Sequence, residues 1–150
     1  MIYEFLKGSA KNSSGLSIED VLNFDNSQIE NVHDYIQLLF PLRERSKFHP
    51  NMPVLNDFEI DAIKGDKVAI QNIQRSVEMM MRFYVNTSHW LKENDHNLLR
   101  ITRILKSTYI FFGEAYSKNL YEWFLELCDD AAFYPEVAMK FWENASSGKV

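Results

Sequence analysis

Apolar residues recur along most of the chain at spacings of three and four, the signature of helices with one face turned inward. The stretch from Met1 to Lys7 predicts a short helix stopped at Gly8, and Ser9 to Gly15 is small and polar, as a loop should be. Ser17 with Asp20 reads as a capping box, stapled by Leu16 and Val21, for a helix ending near Phe24. Ser27 and Glu30 repeat that spacing, and Ile29, Val32, Ile36, Leu39 and Phe40 form one stripe. The prediction is a single helix that closes before Pro41. Leu42 to Pro53 reads as an ordered loop, and Asn56 with Glu59 opens a short helix ended by Gly65.

The longest periodic segment starts at Asp66 and carries Ile70, Ile73, Val77, Met80 and Tyr84 on one side. Polar residues from Asn86 to Asp95 predict irregular backbone, with Trp90 and Leu91 tucking onto the core. Three further helices are expected, over His96 to Phe112, Lys118 to Cys128 and Pro135 to Asn144, with a frayed tail from Ser146 to Val150. Five glycines and four prolines leave little room for the turns of a sheet protein. The fold class is therefore all-α, one compact multi-helix domain over residues 1–150 with about seven helices.

Composition narrows the picture further. Hydrophobic residues make up 46% and charged residues 25% of 150 positions, globular values that exclude a disordered chain or a rod. One cysteine, Cys128, allows no internal disulfide, and no apolar run approaches the length of a membrane span or a signal peptide. The expected setting is soluble and intracellular, in the cytoplasm. A net charge of -5 disfavours a general nucleic-acid coat.

That charge is uneven. Met1 to Phe40 holds two basic and six acidic residues, and Glu114 to Val150 holds three basic and seven acidic. Positive charge gathers at Arg43, Arg45 and Lys47 in the proline loop, and at Arg100, Arg103 and Lys106 on the helix that starts at His96. At 3.6 residues per turn, His96, Arg100, Arg103 and Ser107 fall within about 40° of one another. This stripe predicts either a solvated face or a site that grips a carboxylate or phosphate in forked geometry, with Leu98, Ile101, Leu105 and Tyr109 turned toward the core.

Candidate chemistry is sparse. His33, His49, His89 and His96 include no pair at metal-ligand spacing on one helix, and His33-Asp34 lacks the preceding histidine that a metal phosphohydrolase needs, so no metal site is expected. Cys128 lies among Trp123, Leu125 and Leu127 and reads as an inert buried thiol. No nucleophile elbow or glycine-rich phosphate loop appears, and no catalytic residue or cofactor is assigned. The aromatic residues from Phe111 to Trp142 predict core, with some left for a partner surface or a homodimer face.

Two segments, His33 to Glu44 (HDYIQLLFPLRE) and His96 to Ser107 (HNLLRITRILKS), resemble the signature stretches of the opioid growth factor receptor conserved region. Between them, Ser76 to Tyr84 is similar to that family's helix ending in a Phe-Tyr pair, and the likeness runs from the Phe5 region to Leu127. Leu38 stands where the family pattern commonly has Trp, Val85 stands for a Gly, and the tryptophans before the His33 segment are missing. The chain therefore reads as a short, divergent member, with a bacterial source as one expectation.

The resemblance implies an all-helical region of a non-classical receptor that binds the pentapeptide met-enkephalin, restrains growth and associates with the nucleus and its envelope. The low-complexity repeats and nuclear-import segments of the long animal members are not seen in these 150 residues. The functional expectation is a non-enzymatic module that recognises a peptide, protein or anionic partner. Its ligand-binding residues would be His33, Arg43, His96, Asn97, Arg100 and Arg103, lining a polar groove between the signature helices and the Pro41 loop. The rival expectation is an enzyme using His33 or His96 as general base beside the same arginines on a phosphate-bearing substrate.

Overall fold

Side-chain caps from Ser17, Asp25, Asn56, Asp66 and Asp95 open five of the helices in the computed structural model, which describes residues 1–149. Among these residues there are nine helices and no strand: α1 (Ile2–Leu6), α2 (Ile18–Leu22), α3 (Asn26–Asn31), α4 (Ile36–Leu39), α5 (Asp57–Lys64), α6 (Lys67–Asn86), α7 (His96–Phe112), α8 (Glu114–Asp130) and α9 (Glu136–Ser146). The class is all-α as the spacing predicts, with nine helices where about seven are expected. None is long and apolar enough to cross a membrane. Two compact units divide the chain, Met1–Phe83 and the residues from Tyr84 onward, so the boundary falls within α6.

In the first unit, Ser17 accepts a bond from the Asp20 amide while Asp20 accepts from the Ser17 amide, the expected capping box of α2. Asn56 caps α5 through the Glu59 amide, and Asp66 accepts from the Val68 and Ala69 amides at the start of α6. α1 packs on α4 and α5. It is tied down by polar bonds at both ends: Tyr3 donates its hydroxyl to Asp66 Oδ2 at 2.6 Å, and Asn72 Nδ2 donates to the Leu6 carbonyl at 2.7 Å. Helices of four to eight residues cannot hold themselves in water, so these caps and the burial of Ile2, Phe5, Leu6, Val21, Leu39 and Ile63 must do it.

The single helix expected from Ser27 to Phe40 is not formed. The operative capping box is Asp25 with Gln28, and α3 stops at Val32, whose ψ of 133° is extended. Val32, His33 and Asp34 are all weak helix formers. The Tyr35 hydroxyl donates to the Ile29 carbonyl at 2.6 Å, taking up an acceptor that a continuing helix would have used itself. The chain then turns once more as α4 and ends at Phe40, as Pro41 requires.

The second unit is built on α7, α8 and α9, each packed against the other two. Rings form a chain through it: Tyr84 meets Trp90 at 5.0 Å and Phe124 at 5.4 Å edge-on, and Phe124 meets Trp142 at 6.1 Å. Trp90 is fully buried as expected, its indole N–H reaching the Tyr84 and Thr87 carbonyls, while Leu91 is only half buried. Trp142 donates to the Leu98 carbonyl at 3.1 Å and so pins α9 to the first turn of α7.

Two boundaries differ from expectation here. α8 begins at Glu114, because Gly113 alone, at φ 90°, both closes α7 and opens α8. The residues after α9 are not frayed as far as Lys149: Ser146 is buried, the Lys149 amide bonds to the Asn144 carbonyl, and Gly148 at φ 74° lies against the Tyr109 ring. Val150 lies outside the described residues.

Candidate functional site

The start of α7 is a compact polar assembly. Asp95, only 7% exposed, is its N-cap, accepting from the Asn97 amide and from Asn97 Nδ2, both at 2.9 Å. Asn97 is fully buried, and its Oδ1 accepts from the Arg100 guanidinium at 3.4 Å, while its carbonyl accepts from the Tyr84 hydroxyl. His96 faces out, with Nδ1 at 3.8 Å from Asp95 Oδ1, and Lys92 Nζ stands 3.7 Å from Asp95 Oδ2. One buried carboxylate thus organises the first turn of the helix.

The expected polar stripe of α7 is therefore not one solvated face. His96 is exposed and Arg103 half buried, but Arg100 is 8% exposed and Ser107 fully buried. Both sides of the helix are largely covered, which is why an apolar face opposite a polar one does not translate into core and solvent. Deeper along α7, Ser117 of α8 donates to the Leu105 carbonyl at 2.8 Å and meets Thr108, so small hydroxyls let α8 approach closely.

The residues of the first signature segment lie in the first unit. His33 is exposed beside half-buried Asp34, which accepts a bond from the Ser14 hydroxyl. Arg43 is exposed and donates to Asp57 at the start of α5, and Arg45 holds the proline loop through the Pro50 carbonyl at 2.8 Å. The loop closes where the Leu55 amide meets the Leu42 carbonyl at 2.8 Å. Of the six candidate binding residues, the second unit thus gathers His96, Asn97, Arg100 and Arg103 on one helix, and the first unit holds His33 and Arg43 apart from each other in sequence on either side of α4.

Sequence reasoning overlooks Asp95. An aspartate directly before the first helical residue is a cap signal, and reading it as the last residue of a polar loop hides that. Cys128 is buried as expected, and burial pushes its thiol up to about 11, so it stays protonated at neutral pH.

Residues 3–143 match the family described as the opioid growth factor receptor conserved region. Opioid growth factor receptor-like protein 1 of Mus musculus is 38% identical over 114 residues, covering 62% of this chain and 24% of its own length. The opioid growth factor receptor of Mus musculus is 36% identical over 137 residues, 75% of this chain and 21% of its own, and that of Homo sapiens 31% over 140 residues, 75% and 20%. The chain spans about a quarter or less of the length of these curated relatives. No solved structure gives a significant match. With the signature segments, their order and nearly the whole length matched, the chain belongs to the opioid growth factor receptor conserved-region family.

Proposed function

We propose that this chain is a non-enzymatic binding domain that recognises a peptide or an anionic protein partner with the charged residues at the start of α7. The observation that carries the reading is the Asp95, Asn97 and Arg100 assembly. Arg100 is 8% exposed and its guanidinium donates to Asn97, and a buried charged group is weak evidence for stability alone, since an apolar side chain of that size often serves packing as well. Its place at the start of α7, beside exposed His96, fits a part in recognition. In this reading Asn97 and Arg100 fix the helix start, while His96 and Arg103, two turns apart on one side, meet a carboxylate or phosphate on the partner.

Receptors are what the matched relatives are called, which supports binding over catalysis, and "opioid growth factor" in their names makes met-enkephalin the first peptide to try. Titration of the full chain with met-enkephalin and with a glutamate-rich peptide, followed by calorimetry, tests the proposal. Arg103→Ala and His96→Ala should each weaken binding by about tenfold in samples that keep the native helix content by circular dichroism, and Arg43→Ala and His33→Ala should show whether the first segment contributes. If neither peptide binds, or binding survives all four changes, the assignment of these residues fails. Phosphoester turnover that disappears in His33→Ala or His96→Ala would instead favour the enzymatic alternative.

A further inference from the structure

α8 and α9 form an antiparallel hairpin, because the short connection 131–135 folds the chain straight back. Along one side of this hairpin lies an open cleft of about 390 Å³ lined by Leu125, Glu126, Asp129, Tyr134 and Met139. Leu125 and Met139 are half buried and supply an apolar floor from both helices. Tyr134, 56% exposed, lines it as well, and its ring is held by the hydroxyl's 2.6 Å bond to Asp129 Oδ1. The volume is enough for one or two side chains of a peptide.

The rim gives the sign of the occupant. Neither Glu126 nor Asp129 makes an ion pair among the described residues, and both are exposed. Between Glu114 and Ser146 the chain carries seven acidic residues against Lys118 and Lys140, and Lys118 is already engaged by Glu114 at 3.2 Å. Further along the hairpin, outside the cleft, burial and the nearby Glu143 carboxylate push the Tyr121 phenol up. An apolar floor between carboxylates that have no cationic neighbour among the described residues complements an apolar anchor flanked by lysine or arginine, and it repels an acidic segment.

We infer that the α8–α9 cleft is a docking site for a short cationic amphipathic peptide segment. The site is separate from the cationic residues of α7, so the partner proposed above and this one differ in charge and do not compete by design. Apolar contact on the floor supplies affinity, and the carboxylate rim supplies sign discrimination and a steep salt dependence.

The test is a fluorescence anisotropy titration of the full chain with a labelled short leucine-lysine peptide, apolar at i and i+4, and with its glutamate-for-lysine counterpart. The lysine peptide should bind saturably at low salt, and the glutamate peptide should not. Glu126→Lys with Asp129→Lys should weaken binding by about tenfold or more, whereas Asp61→Lys with Glu78→Lys, an equal charge change in the first unit, should alter it by less than about twofold. NMR signals of the Leu125 and Met139 methyl groups should shift on binding. Absence of saturable binding overturns the inference, as does an equal loss in both charge-reversed variants, which would mean general attraction to a negatively charged protein. Concentration-dependent dimerisation abolished by Met139→Glu would also overturn it, by showing a second copy in the cleft.

Discussion

In the segment from His33 to Glu44 the burial comes in one block: eight consecutive residues, Tyr35 to Leu42, are buried, all apolar but Gln37, while His33, Arg43 and Glu44 are exposed and Asp34 is half buried. From His96 to Ser107 the order is mixed, with Asn97, Arg100 and Ser107 as deeply placed as Leu98 and Ile101. Both segments open with histidine and carry arginine. In the first, sequence blocks separate packing from polar contact; in the second, a continuous helix interleaves them, and polar groups must be satisfied inside. A substitution in the first segment is therefore either a core defect or almost nothing, whereas in the second even a polar change reaches the interior.

Substitutions at four positions turn that contrast into numbers. Phe40→Ala, in the buried block, should cost about 3–5 kcal/mol of unfolding free energy in denaturant melts, since the ring is fully enclosed. Arg100→Ala should cost about 1–3 kcal/mol, because it leaves buried polar partners unsatisfied; a loss under about 0.5 kcal/mol would mean that α7 does not depend on its guanidinium. Asp95→Ala removes the cap of α7 and should cost about 1 kcal/mol, and Asp95→Asn, which keeps an acceptor, should restore much of it by circular dichroism. Arg43→Ala should lower stability by less than about 0.5 kcal/mol, its pairing with Asp57 being solvated on both sides. If Arg43→Ala proved as damaging as Arg100→Ala in thermal melts, the distinction between the segments would collapse.

Much of the helical layout can be read from the residues themselves wherever a chain ending has its own chemistry. Ser17, Asn56, Gly65, Pro41 and Gly113 each act locally, and the boundaries they predict are found. The break at Val32 is harder to read, since it depends on a tyrosine hydroxyl reaching back across six residues to satisfy a carbonyl. The ordering after Ser146 depends on Gly148 meeting Tyr109, a contact 39 residues distant in sequence that composition does not reveal. For α7, periodicity finds both faces correctly and still misjudges exposure, because a helix covered on more than one side has no solvent half. The family, in contrast, is legible from mixed polar and apolar words such as HNLLRITRILKS, whose polar letters packing alone does not dictate.

The single-residue joint at Gly113 has a consequence for how this domain can vary. With no spare residues between α7 and α8, an insertion there would rotate every later side chain of α8 by about 100° and carry Ser117 away from the Leu105 carbonyl. Length changes in related chains should therefore accumulate elsewhere, above all in the proline-rich span from Leu42 to Pro53, while the distance between the Arg100 codon and the Ser117 codon stays constant.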